Sequence, residues 1–246
     1  MTTSGTTSFN LDLNNLVEEA FERCGVELRT GYDLRTARRS LNLLTIEWAN
    51  RGINLWTIEQ GTIPMVQGQI KYSLPVDTID LLEHVVRTQT GQGQTDITIN
   101  RISVDTYATI PNKNAQGRPI QVWINRQSGA TYPVGGQPDG TDDVTGIDYP
   151  SINVWPAPDQ DDYYTFVYWR LRRLQDAGDG TTTQDIPFRL LPALVAGLAF
   201  HLSAKLPGGM ERMQMLKMMY DEQWQLAQDE DREKAPLRIA PRQYFR

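Results

Sequence analysis

Residues 36–59 read TARRSLNLLTIEWANRGINLWTIE, and this stretch decides the fold. Leu34, Ala37, Leu41, Leu44 and Trp48 are spaced by three, four, three and four. That spacing puts them in one apolar stripe along a helix. Gly52 follows, the residue type that most easily takes the left-handed conformation ending a helix. Ile53-Asn54-Leu55-Trp56-Thr57-Ile58 is rich in residues that suit a pleated strand, so a strand is expected to begin there.

Working outward, a first helix is expected over about Asp12–Cys24. Its apolar face is Leu13, Leu16, Val17, Ala20, Phe21 and Cys24, and Gly25 stops it. The helix containing the stripe runs from about Asp33 to Arg51, and the short connection predicts an antiparallel helical hairpin. After Trp56 the apolar period becomes two. Thr57–Gln60 and Gln69–Leu74 are expected to pair around Pro64 and Gly68. Residues 85–88 and 96–100 flank a glycine-rich hairpin tip, TQTGQGQT. One or two helical turns are expected over Ser103–Thr109, then strands over Ile120–Ile124, Ile152–Trp155 and Tyr163–Leu171. The helical period returns after the polar loop 176–185. Leu194, Val195, Leu198, Ala199 and Leu202 form the face of a third long helix, Pro207-Gly208-Gly209 breaks it, and a fourth runs over about Met210–Glu230.

The expected class is therefore α+β, a four-helix layer built from both chain ends with an inserted, mostly antiparallel β subdomain. The boundaries are a flexible tail at 1–10, a helical bundle from 11–55 and 186–234, the β subdomain at 56–185, and an extended C-terminal arm at 235–246.

Two blocks carry a resemblance. The first is Arg38-x-x-Leu41-Asn42-x-Leu44-x-x-Glu47-Trp48-Ala49-Asn50-Arg51-Gly52-x-Asn54-Leu55-Trp56. The second runs from Ile186-Pro187 through Ala193-Leu194-x-x-Gly197-Leu198-Ala199-x-x-Leu202-x-x-Lys205. With the order of elements between them, they resemble the head-to-tail adaptor proteins of short-tailed bacteriophages, the family of the tail tubular protein A and the portal-proximal tail accessory factor. The resemblance implies a structural virion protein of the neck or tail. It would form a ring of twelve copies around the DNA exit channel, between the portal protein and the tail nozzle protein, with a C-terminal segment that grips the portal.

Composition bears on the alternatives. The net charge of −6 and pI near 5.0 disfavour a dedicated nucleic-acid binder, which would carry a basic patch or stripe. A mean hydropathy of −0.47 fits an elongated or oligomeric subunit. Cys24 is the one cysteine, which excludes an intramolecular disulfide and a cysteine-only zinc site, and it reads as a small buried hydrophobe. No run approaches the ~18 apolar residues of a membrane span, and no signal peptide is recognisable, so synthesis in the host cytoplasm is expected.

Catalysis finds little footing. His84 and His201 are the two histidines, and each reads as structural. There is no G-x-S-x-G and no H-E-x-x-H, so no catalytic, cofactor or metal residues are assigned. Gly91-Gln92-Gly93-Gln94 lacks the Gly-Lys-Ser/Thr ending of a phosphate loop. Seven aspartates fall in 139–162 without a Lys or Arg, but Asp139-Gly140-Thr141-Asp142-Asp143 does not follow the EF-hand ligand order. A solvated acidic loop is expected.

Interaction surfaces are better supported. The arm, APLRIAPRQYFR, carries Arg238, Arg242 and Arg246 without an acid. Leu237, Arg238, Ile239, Arg242, Tyr244 and Phe245 are its candidate portal contacts, since arginine and aromatic side chains carry interface energy. Arg35, Arg38 and Arg39 share a helix face and are candidates for a subunit contact. Ion pairing with Glu18, Glu19 and Glu22 is the simpler reading. Arg170, Arg172 and Arg173 crowd one strand end, with phosphate contact and ion pairing both open. Of Met210, Met213, Met215, Met218 and Met219, some are expected in the core with Leu216 and Tyr220; Met215 and Met218 are the candidate subunit contacts. Trp123, Trp155, Tyr163, Tyr164 and Trp169 leave a second class open, a glycan-binding or glycan-degrading tail protein.

Overall fold

The computed structural model describes residues 3–89, 91–126 and 150–232. The chain forms two compact units, one of Met1–Trp56 with Leu174–Arg246 and one of Thr57–Arg173. The described residues hold five helices and two four-stranded sheets, an α+β fold.

In the first unit, α1 spans Leu13–Cys24. Asp12 caps it by accepting from the Asn15 amide at 2.8 Å. Helix α2 spans Gly31–Arg51 and begins in a capping box, with the Thr30 and Asp33 side chains each accepting from the other residue's backbone amide. Gly25 and Gly52 end these helices at φ +77° and +86°, where a Cβ would be strained. The apolar stripe of α2 lies inward as its spacing demands: Ala37, Leu41, Leu44 and Trp48 are fully buried.

Helix α4, Leu191–Ser203, is the hub. Ten of its thirteen residues are buried, and α1, α2 and α5 (Gly209–Glu230) each pack on it. The expected α1–α2 hairpin is thus corrected. The two helices touch each other little, because α4 supplies the larger apolar surface for both. Gly197 makes this close approach feasible. A Cβ there would meet the Tyr220 ring at 2.8 Å and Leu44 at 2.9 Å. Gly197→Ala is expected to destabilise the unit by about 1–3 kcal/mol through overpacking. An unchanged urea midpoint would show that α2 and α5 can move apart at no cost.

The strand expected at Ile53–Ile58 is also corrected. Ile53 is buried in the helical core, and Leu55–Thr57 is a 3-10 turn. One Asp231 carboxylate oxygen accepts from the Asn54 and Leu55 amides, at 2.8 and 3.3 Å, where strand partners would otherwise be needed. Residues 174–185, which the loop reading put with the β region, belong to the first unit. They are held there by the Leu13 amide on the Thr182 carbonyl and the Asn14 amide on the Gly180 carbonyl, both 3.0 Å.

The second unit begins with β1 (Ile58–Pro64), β2 (Lys71–Ser73), β3 (Thr78–Thr88) and β4 (Thr95–Thr98). It continues with β5 (Asn100–Ile102), the short helix α3 (Val104–Ala108), β6 (Gln121–Asn125), β7 (Ser151–Trp155) and β8 (Tyr164–Arg172). One sheet has the order β1-β8-β3-β4 and is antiparallel throughout. The other is β2-β7-β6-β5, in which β5 and β6 run parallel. Leu81, Val86, Phe166 and Tyr168 from the first sheet and Tyr72, Val122, Ile124, Ile152 and Val154 from the second share one core. Thr57–Gln60 and Gln69–Leu74 therefore do not pair with each other. The chain crosses between sheets at 65–70, so β1 bonds to β8 and β2 to β7. The TQTGQGQT segment does join the antiparallel β3–β4 pair.

Candidate functional site

The two sequence blocks prove to be internal structure. Asn42 accepts from the Ala177 amide at 2.8 Å, and Arg38 donates to the Ala177 carbonyl at 3.2 Å. Glu47 lies 2.6 Å from Arg51 and 3.2 Å from His201. The Trp48 indole donates to the Tyr220 hydroxyl at 3.1 Å, and its ring meets Trp224 edge-on at 5.6 Å. Arg51 lies over the Trp224 ring at 4.7 Å. The Trp56 indole donates to the Asp185 carbonyl at 2.9 Å. These residues tie α2 and its exit to α4, α5 and the 174–185 segment.

What remains outward is a set of surfaces. On α2 the exposed residues Tyr32, Arg35, Arg39, Leu43 and Ile46 recur every three or four positions, forming one strip opposite the core. Arg35 and Arg39 belong to it. Arg38 does not, since it turns to Ala177 and stands 3.9 Å from Asp179. None of the three pairs with Glu18, Glu19 or Glu22 among the described residues; Glu19 instead pairs with Arg23 at 2.9 Å. On α5 the core face is Leu216, Tyr220, Trp224 and Ala227, whereas Met215, Met218, Met219 and Leu226 lie exposed on the opposite face. The expectation that some methionines pack in the core with Leu216 and Tyr220 is corrected. Met210 is also exposed and Met213 only half-buried, and none of the five is among the buried core residues. Leu43, Ile46 and Leu226 escaped the sequence reading, which named Met219 with the other methionines but did not single it out as a subunit contact. Their only signal was apolar character off the core stripe.

In the second unit, Arg170 pairs with Glu59 at 2.8 Å and with Asp77, and Arg172 pairs with Glu59 at 2.7 Å. The Arg173 amide donates to the Asp77 carbonyl at 2.7 Å. The Arg170 hydrogen bond holds the Asp77 carboxyl below the usual range. Ion pairing with Glu59 and Asp77 therefore accounts for Arg170 and Arg172 without phosphate. The five aromatic residues do not share a platform. Trp123 and Trp155 belong to the β6–β7 sheet, where Trp123 stacks on Tyr107 at 5.3 Å and Trp155 donates to the Asn112 carbonyl. Trp169 and Tyr164 lie on β8 of the other sheet, and Tyr163 just before it.

Cys24 is buried, its thiol donating to the Ala199 carbonyl at 3.2 Å, and burial pushes its pKa up. His84 is buried beside Phe166, ring centroids 5.9 Å apart. Burial, helped by the Arg101 charge, lowers its pKa below 6.5. The unfolded chain then binds more protons than the folded one just below pH 6.5, so stability falls as pH drops from that value toward the folded pKa. His84→Phe is expected to flatten the stability profile between pH 7 and 5. An unchanged slope in urea unfolding would refute this.

Among the described residues, no group of three His, Cys, Asp or Glu side chains could hold a metal. No described helix is long and apolar enough to cross a membrane. Residues 139–148 of the aspartate-rich region, and the arm with its six candidate contacts, lie outside the described residues. Asp161, further along, accepts from the Gln67 amide at 2.7 Å. The model of the SU10 adaptor protein family matches residues 12–240. No curated protein matches the chain.

Proposed function

The chain belongs to the SU10 adaptor protein family, and from that premise we propose that it is a head-to-tail adaptor, a structural virion protein forming a ring between the portal and the tail nozzle. The observation that carries this reading is the outward apolar face of α5, where Met215, Met218, Met219 and Leu226 back directly onto a finished core. Apolar residues aligned on one outward helix face mark a protein-binding surface, and methionine adapts to an irregular partner.

In this proposal α5 and the Arg35–Arg39–Leu43–Ile46 strip of α2 are the two halves of a heterologous contact between neighbouring copies. Such a contact makes a ring when its rotation closes, here at twelve copies. Arg38 supports the contact indirectly by fixing the 174–185 segment. DNA passes through the lumen without sequence-specific binding, which agrees with the acidic net charge. The arm, through Leu237, Arg238, Ile239, Arg242, Tyr244 and Phe245, is the portal contact.

The test is mass by light scattering, for the chain alone and mixed with its cognate portal. The expected result is joint migration in near-stoichiometric copies. A chain that ignores the portal at tens of micromolar would overturn the adaptor reading.

A further inference from the structure

The first unit carries an apolar groove of ≈ 700 Å³ between α1 and the start of α4. Leu191, Pro192 and Val195 line it, with Phe188 among the lining residues and 70% exposed. The α1 side is acidic. Glu19 is committed to Arg23, but Glu18 and Glu22 are exposed and have no ion partner among the described residues.

Two observations identify what fits there. The first is charge and character. Residues 235–246 hold three arginines, no acid, and the apolar side chains Leu237, Ile239, Tyr244 and Phe245. They complement an apolar groove whose wall carries two acids, Glu18 and Glu22, without an ion partner among the described residues. The second is where the chain emerges. Arg189, which lines the groove, stands 3.7 Å from Glu230, the last residue of α5. The polypeptide that follows α5 therefore starts at the groove's edge. Twelve residues span about 40 Å when extended, while the α1 wall from Asn15 to Arg23 is only about 12 Å long.

We infer that this groove seats the chain's own C-terminal arm in the free subunit, an aromatic or aliphatic anchor on its floor and an arginine against Glu18 and Glu22. The docking stands apart from the adaptor reading. Its consequence for assembly rests on that reading: a portal must outcompete the groove before it captures the arm, so subunits commit only where a portal is present.

The test uses the full chain carrying Phe188→Cys and Tyr244→Cys under mild oxidation. Cys24 does not compete, since it is buried and its thiol pKa is raised. The expected product is an intramolecular disulfide at monomer mass, formed at a rate independent of protein concentration. Adding Glu18→Lys and Glu22→Lys to the same chain is expected to slow it at least fivefold. No crosslink, or one that forms equally fast after charge reversal, would overturn the inference. A crosslink found only between two copies would also overturn it, by giving the groove to a neighbour's arm. Portal binding by the unsubstituted chain reads the adaptor function separately, so each idea can fail without the other.

Discussion

Trp48→Ala is expected to lower the stability of the helical unit by about 3–5 kcal/mol, the usual range for removing a large buried aromatic side chain. Trp48 is fully buried where α2, α4 and α5 converge. The substitution would open a cavity, delete the edge contact with Trp224, and leave the buried Tyr220 hydroxyl without its indole donor. Trp48→Phe keeps one aromatic ring but loses the indole donor and part of the ring volume, at an intermediate cost of about 2 kcal/mol. The expected readout is a urea midpoint for the helical unit that falls far for alanine and modestly for phenylalanine. A loss under about 1 kcal/mol for alanine would mean that the unit is organised around something else. Tyr220 offers a second readout. Burial pushes its pKa up to about 12, so this residue's contribution is intact below the unfolded value of 10.0 and fades as pH rises toward 12. Tyr220→Phe should remove that part of the alkaline decline.

Deleting residues 235–246 is expected to leave the fold intact and to weaken portal binding by roughly three orders of magnitude. That figure corresponds to losing two anchors at about 2 kcal/mol each. Among the described residues the buried helical core runs from Leu13 to Ala227. Circular dichroism should therefore be unchanged and the urea midpoint should fall only by what the arm's docking in the groove contributes, while co-migration with portal is lost. Tyr244→Ala with Phe245→Ala should reproduce most of the loss at any salt. Arg238→Ala with Arg242→Ala should matter more at low salt, where charge attraction is less screened. Normal portal binding by the truncated chain would remove the arm from the mechanism.

The helices were legible because their signals are local. The α2 stripe, the Gly25 and Gly52 stops, and the class of fold follow from spacing and residue type within about twenty positions. The resemblance was legible for the same reason: it rests on residue types within one local block, in which Asn42, Glu47, Trp48 and Trp56 hold neighbouring segments in place. The groove was not legible. It joins Glu18 and Glu22 of α1 to Val195 of α4, more than 170 positions away, and no pattern along the chain announces that meeting.

Strand partnership shows the same division. Alternation in β6, with Val122 and Ile124 inward, marks a strand and its faces, because side-chain direction is set by the backbone at each residue. It does not say which strand lies alongside. Nearness along the chain favours pairing β1 with β2, since a short loop costs less entropy to close. The tertiary structure decides otherwise, bonding β1 to β8 over a hundred residues away, because both sheets must turn their apolar faces into one core. Outward faces obey the same logic. By itself the sequence determined that α5 is a helix containing five methionines. That four of them lie exposed was decided only in the tertiary structure, where Leu216, Tyr220 and Trp224 take the face against the core, since a core of fixed volume admits one set of side chains and expels the rest.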